Sequence, residues 1–355
     1  MPLPLILGGI AIATAATGAK KAYDGYQDKS EADDIVKNAK SKYDYQKSRL
    51  EEANKLTEGK INELGELYLA IGQDFKTFEE LADELLNKLN QHSNKHLEIN
   101  LPQYKLNQIK TLSMNSVAYA GKLVGGAAGG AAAAYAVYGG TMALAAASTG
   151  TPIAALSGVA AYNATMAAIG GGSLAAGGLG MAGGAMILSG VVAAPVIAVA
   201  GWAFASHAKD ALEKAKEIRR EVAEYESNAD NAIKHLGNTR AYVSNIAINV
   251  KNIHLQFKHY LKDLQRVAQL IRKGLLDTIK ETDTIIQSIN NGYALAAILT
   301  DIIQTPIFKL KKENGKIVYD ENNVPQLEEG PHGNVLNTAE MSDKLQSSSS
   351  NARKY

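Results

Sequence analysis

The chain has 355 residues, Lys+Arg 37 against Asp+Glu 36, 46% hydrophobic residues and no cysteine. That length allows a large core and more than one domain, while the near-zero net charge leaves no electrostatic footprint for nucleic acid. The missing cysteines exclude disulfides, thiolate nucleophiles and Cys-based zinc sites, and leave the compartment open.

Residues 1–27 form an apolar N-terminal segment that begins MPLPLILGGIAIATAATGAKK. The apolar run has signal-peptide length but no basic residues before it; Lys20 and Lys21 come after, so no cleaved signal is expected. A short buried helix and a membrane-inserting or interfacial end both fit.

Residues 28–122 are charged and helical in pattern. Ile61, Leu64, Tyr68, Ile71, Phe75, Phe78, Ala82, Leu85 and Leu89 alternate by three and four, the seam of a helix packed on another helix. Residues 208–291 repeat the pattern in Val243, Ile246, Val250, Ile253, Phe257, Tyr260, Leu264, Val267 and Ile271, after an earlier run of Leu212, Ala215, Ile218, Val222, Tyr225 and Ala229. The simplest closure brings these two coiled-coil arms together antiparallel within one chain, as an elongated stalk with the intervening zone at its tip. A second copy of the chain could satisfy the same seams.

Between the arms, residues 123–207 contain no Asp, Glu, Lys or Arg, although charged residues make up 21% of the chain. Three readings compete: a buried core hairpin, transmembrane helices, or a segment buried in one state and membrane-inserted in another. Ala185 to Ala205 carries eight Ile, Leu, Val or Phe residues, Val191, Val192 and Ile197 among them, with Trp202 near its end. On the insertion scale those eight contribute roughly −2.4 to −4.8 kcal/mol. Ile153 to Ile169 is poorer and would need help. Glycine costs a helix about 1 kcal/mol against alanine, so the run Gly170 to Gly184, more than half glycine, implies a compensating use. Helices in lipid associate through small residues four apart, a spacing found at Gly125/Gly129, at Gly126/Gly130 and along Ala176, Gly180 and Gly184. Lysines and arginines flank the zone on both sides, which favours an even number of crossings.

Residues 292–327 contain IFKLKKENGKIVYDE, two alternating runs around Asn314-Gly315, a strong hairpin signal. Residues 328–355 turn polar and end in QSSSSNARKY, which predicts a flexible tail.

The stretch STGTPIAALSGVAAYNATMAAIGGGSLAAGGLGMAGGAMILSGVVAAPVIAVAG, Ser148 to Gly201, resembles the Gly/Ala-rich membrane segment of interferon-inducible small mitochondrial proteins and of bacterial glycine-zipper relatives. That resemblance implies membrane association and no defined activity. The layout of long helices around an apolar hairpin is similar to α-helical pore-forming toxins of the cytolysin A and two-component cytolysin type, which hide an apolar tongue, extend it into a membrane and oligomerise. The long Ala/Gly zone and the apolar N-terminus depart from that pattern.

Catalytic signatures are missing. No GxxxxGK[ST] loop, GxSxG elbow or HExxH helix occurs. His92 and His96 have the i, i+4 spacing of two zinc ligands but no third ligand. His254 and His259 read as solvated or seam-flanking, and Asp33-Asp34, Glu51-Glu52 and Glu79-Glu80 as solvated faces. His207 could bias insertion at acidic pH. The expectation is an all-α, membrane-associated, non-enzymatic protein, soluble before insertion, with no cofactor or metal. Its partners are a lipid bilayer and either further copies or a helical protein, not nucleic acid. It would act by pore formation; a membrane-anchored coiled-coil scaffold is the alternative.

Overall fold

The computed structural model describes residues 19–92, 97–123, 129–138, 208–275, 281–319 and 325–355. Among these residues the fold is all-α, with six helices: α1 (Ala19–His92), α2 (Gln103–Leu123), α3 (Gly129–Tyr138), α4 (Ala208–Arg272), α5 (Thr282–Ile303) and α6 (Thr338–Ala352). Two antiparallel strand pairs accompany them, β1 (Lys312–Glu313) with β2 (Lys316–Ile317) and β3 (Glu329–Gly330) with β4 (Gly333–Asn334). The chain divides into two compact units, Met1–Ala53 with Val191–Lys234, and Asn54–Gly190 with His235–Tyr355. Helices α1 and α4 contribute to both.

In the first unit α1 and α4 pair through Ala32, Val36, Ala39, Ala211, Ala215, Ile218 and Val222. Tyr43 packs on Tyr225 with ring centroids 4.8 Å apart. Lys42 meets Glu226 at 3.4 Å, and Arg49 Nη1 donates to Asp230 Oδ1 at 2.9 Å. Both partners advance together, so the two helices run parallel.

The second unit repeats that direction. Thr57 Oγ1 donates to the Leu236 carbonyl at 3.4 Å, His254 Nε2 lies 2.8 Å from Asp74 Oδ2, and Arg272 Nε donates to Glu84 Oε1 at 3.0 Å. The antiparallel pairing expected of the two arms is therefore corrected to a parallel one. A heptad seam buries the same residues in either direction, so it does not set polarity. The return path does: α2 folds back along α1, with Ser113 against Glu79 and Ser116 facing Gly72. Asn90 ties the turn between them, accepting from the Leu97 amide at 2.7 Å.

The second arm is likewise not one helix. α4 ends where Gly274 adopts φ +68, with the Leu275 amide bonded to the Leu270 carbonyl at 2.9 Å, a left-handed C-terminal cap that glycine adopts without strain. α5 then runs back along α4: Asn291 Nδ2 donates to Tyr260 Oη at 3.3 Å, and Ile285 and Ser288 line a cavity with Leu264 and Val267.

The expected hairpin forms at Asn314 and Gly315, whose φ values of 51 and 77 are the left-handed pair a tight turn needs. Residues 328–355 are not a flexible tail. β3, β4 and α6 come after the hairpin, and α6 buries Met341, Leu345, Ser348 and Ala352. Those positions recur at three- and four-residue spacing, a helical stripe that the serine run conceals because one of its members is a serine. Asn337 anchors the helix, its carbonyl accepting from Tyr242 Oη at 3.0 Å and its Nδ2 donating to the Pro306 carbonyl at 3.2 Å.

One ion pair in the second unit carries a pH signature. Hydrogen bonds from Arg272 and Lys88 pull the Glu84 carboxyl down to about 2. A depressed carboxylate stabilises the fold above its unfolded value of about 4.3, and that contribution is lost as the pH falls through the folded value. Glu84→Gln should therefore lower the urea midpoint slightly at pH 7, by no more than an exposed, solvent-screened pair can contribute. Urea titrations of both proteins should converge as the pH drops below about 4.

Candidate functional site: an enclosed apolar helix

The charge-free zone enters the described residues only at its N-terminal edge, and there it is a core element. In α3, Ala132, Ala133, Tyr135, Ala136, Val137 and Tyr138 are each at most 2% exposed. At about 100° per residue these positions surround the helix axis, so α3 is apolar all round and enclosed. A helix of that kind belongs either in a protein core or in lipid.

Three elements hold it. Gly65 of α1 lets the α3 backbone approach: a Cβ at Gly65 would lie 1.7 Å from the Ala132 carbonyl oxygen. The Tyr135 hydroxyl and Ser116 Oγ of α2 are 2.7 Å apart, a buried hydrogen bond. Beyond α5, the Ile307 amide donates to the Val137 carbonyl at 3.2 Å. About two turns further along α1, Gly72 makes room for Ser116 in the same way, since a Cβ there would lie only 2.0 Å from the serine hydroxyl oxygen. Around this contact α1, α2, α4, α5 and α6 share one apolar core.

The seam residues meet in that core. Ile61, Leu64, Ile71, Phe75, Phe78 and Leu85 of α1 and Val250, Ile253, Phe257 and Leu264 of α4 are all buried in it. Gly129 and Gly130 open α3. Gly125, Gly126, Gly180, Gly184, Val191, Val192, Ile197 and Trp202 lie outside the described residues, as do His96 and His207. His92 ends α1, and no group of three or more metal-ligating side chains occurs among the described residues.

His254 flanks the seam: it is 7% exposed and paired with Asp74. One polar reading is corrected. Glu79 is not on a free face: Ser113 donates to it at 3.2 Å, and burial holds its carboxyl above the usual carboxylate range against the lowering effects of Ser113 and Lys76. Glu80 stays on the exposed side, paired with Lys76 at 3.3 Å. The residues that position α3, Gly65, Gly72 and Ser116, do not stand out in the sequence. Their one signal is a pair of glycines seven apart inside a helical pattern, where an isolated glycine usually marks a packing reason.

Among the described residues no helix is long and apolar enough to cross a membrane. Compared with protein-family models, curated proteins and solved structures, the chain matches none.

Proposed function

We propose that this protein acts at a lipid bilayer, holding part of its charge-free zone inside a helical bundle in one state and inserting that zone, as an oligomer, to permeabilise the membrane in another. The observation that carries the reading is α3: a helix with no polar face, continuous in sequence with residues 139–207, which also carry no charge. Its present enclosure by protein satisfies one of the two environments such a helix accepts, and the recurring small residues at Gly180 and Gly184 suit close helix packing in the other. The two resemblances noted from sequence, to glycine-zipper membrane segments and to helical pore-forming toxins, point the same way.

Dye-loaded liposomes test the proposal. The full chain should float with the vesicles and release their contents, and Gly180→Leu with Gly184→Leu should abolish release. Flotation without release would replace the pore with a membrane-anchored scaffold. A protein that never floats would be a helical interaction module, and the proposal would fall.

A further inference from the structure

In the second unit, α4 gives its inner sides to protein. It buries Val250, Ile253, Phe257 and Leu261 in the shared core, and α6 lies along one flank, where the Asn337 and Tyr355 carbonyls accept from the Tyr242 and Tyr260 hydroxyls. The face opposite the core is left over. At about 100° per residue, Ile248, Lys251, Leu255, Lys262 and Arg266 fall within about 40° of one line along that face, over a length of roughly 27 Å. All five are exposed.

Two properties set this face apart. Its cations are poorly matched: outward lysines of α1 sit beside acids one turn away, as in Lys47 with Glu51, Lys60 with Glu63 and Lys76 with Glu80, whereas residues 241–272 of α4 hold five lysines and arginines against one acid, Asp263. Arg266 engages that acid, and Lys258 and Arg272 reach across to Asp74 and Glu84 of α1. Lys251 and Lys262 have no acidic partner among the described residues. The second property is apolar. Ile248 is 60% exposed and Leu255 57%, two turns apart on the same line and interleaved with those lysines. One exposed aliphatic side chain is ordinary; two in register with unmatched cations make a surface of mixed chemistry.

An acidic protein or a nucleic acid would use the cations and leave the aliphatic side chains idle. A bilayer with anionic headgroups uses both, because phosphates meet the ammonium groups while the aliphatic side chains sink towards the acyl boundary. We infer that this outer face of α4, around Ile248, Lys251, Leu255 and Lys262, is the surface by which the folded protein lies on an anionic lipid membrane. The inference rests on the membrane activity proposed above and adds to it the face that meets the lipid and the headgroup charge that face selects.

The full chain is mixed with vesicles of phosphatidylcholine alone, or of phosphatidylcholine with phosphatidylglycerol, and binding is read by co-flotation. The wild type should prefer the anionic vesicles, and the preference should fade as salt rises. Lys251→Gln with Lys262→Gln should weaken binding about 25-fold, about fivefold for each cation withdrawn. Ile248→Ser with Leu255→Ser should weaken it several-fold and leave its salt dependence unchanged. All four positions are exposed, so the urea midpoints should stay at the wild-type value. Lys60→Gln with Lys76→Gln removes the same charge from α1 and should leave binding close to wild type. Equal losses from the two lysine pairs, or no loss from the α4 pair, overturn the inference and leave the membrane activity standing. No binding to either kind of vesicle overturns both. Retention on a polyglutamate resin that the α4 pair abolishes, with no vesicle binding, gives the face to an acidic protein and overturns the inference.

Discussion

Replacing Gly65 with alanine is expected to destabilise the second unit by about 3 kcal/mol, the upper end of the usual cost of overpacking. The added methyl would lie 1.7 Å from the carbonyl oxygen and 2.3 Å from the carbonyl carbon of Ala132. Both are backbone atoms, so no rotamer change relieves the clash. Either α1 and α3 separate along their whole contact, or α3 leaves its place and takes the Tyr135–Ser116 and Ile307–Val137 hydrogen bonds with it. The internal control is Gly59→Ala on the same helix. Nothing lies within 4 Å of a Cβ there, so the substitution should gain helix propensity and raise stability by up to about 1 kcal/mol. Urea unfolding followed by helical circular dichroism reads both signs. Equal stability of the two variants would mean that α3 does not dock on α1. If the proposed membrane activity holds, Gly65→Ala should also speed dye release from liposomes, because it loosens the enclosed helix without altering its sequence.

The seams were legible because helix packing writes its period into sequence: every third or fourth position from Ile61 to Leu89 and from Val243 to Leu264 had to be apolar. Their direction was not. Polarity depends on how the chain returns, and that rests on Gly72 accepting Ser116 and on Asn90 closing a turn with Leu97, contacts with no periodic signature. The Asn314-Gly315 hairpin was legible because few residue pairs accept two consecutive left-handed conformations.

Helix α6 leaves little trace in the sequence because it docks on a core that already exists. Four contact positions suffice there, and only Met341 and Leu345 among them are large and apolar. His254 and Asp74 are 180 residues apart, so their pairing is a property of the fold alone. The glycines of the charge-free zone suggested close helix contact, and the described bundle does use glycine in that way, but at Gly65 and Gly72 of the first charged arm and at Gly292 of α5. Close approach is thus a feature of this chain's helix packing in protein as well as the expected one in lipid.

Phe257→Ala should cost the second unit about 3–5 kcal/mol, the range for deleting a fully buried aromatic ring. Phe257 is 0% exposed. Its ring meets Phe75 edge-on at 5.1 Å and Phe78 at 5.1 Å, and Phe78 in turn meets Tyr293 at 5.2 Å. Gly292 leaves space for the Phe78 ring, since a Cβ there would lie 2.2 Å from its tip. The cluster therefore links α4 to α1 and α1 to α5, and truncating Phe257 removes its α4–α1 contacts and one side of the packing around Phe78. A double-mutant cycle of Phe257→Ala with Phe75→Ala should give a coupling of about 0.5–1.5 kcal/mol. A second cycle, Glu84→Gln with Arg272→Gln, should give a smaller coupling, because this pair is exposed and screened by solvent. Together the cycles report direction. Moving from Phe75 to Glu84 along α1 means moving from Phe257 to Arg272 along α4 only if the helices run parallel. In an antiparallel pair that contains the first contact, Glu84 would lie opposite residues before Phe257, out of reach of Arg272. Coupling in both cycles is therefore the expected signature of a parallel α1–α4 pair in this unit, and coupling in the first cycle alone would count against it.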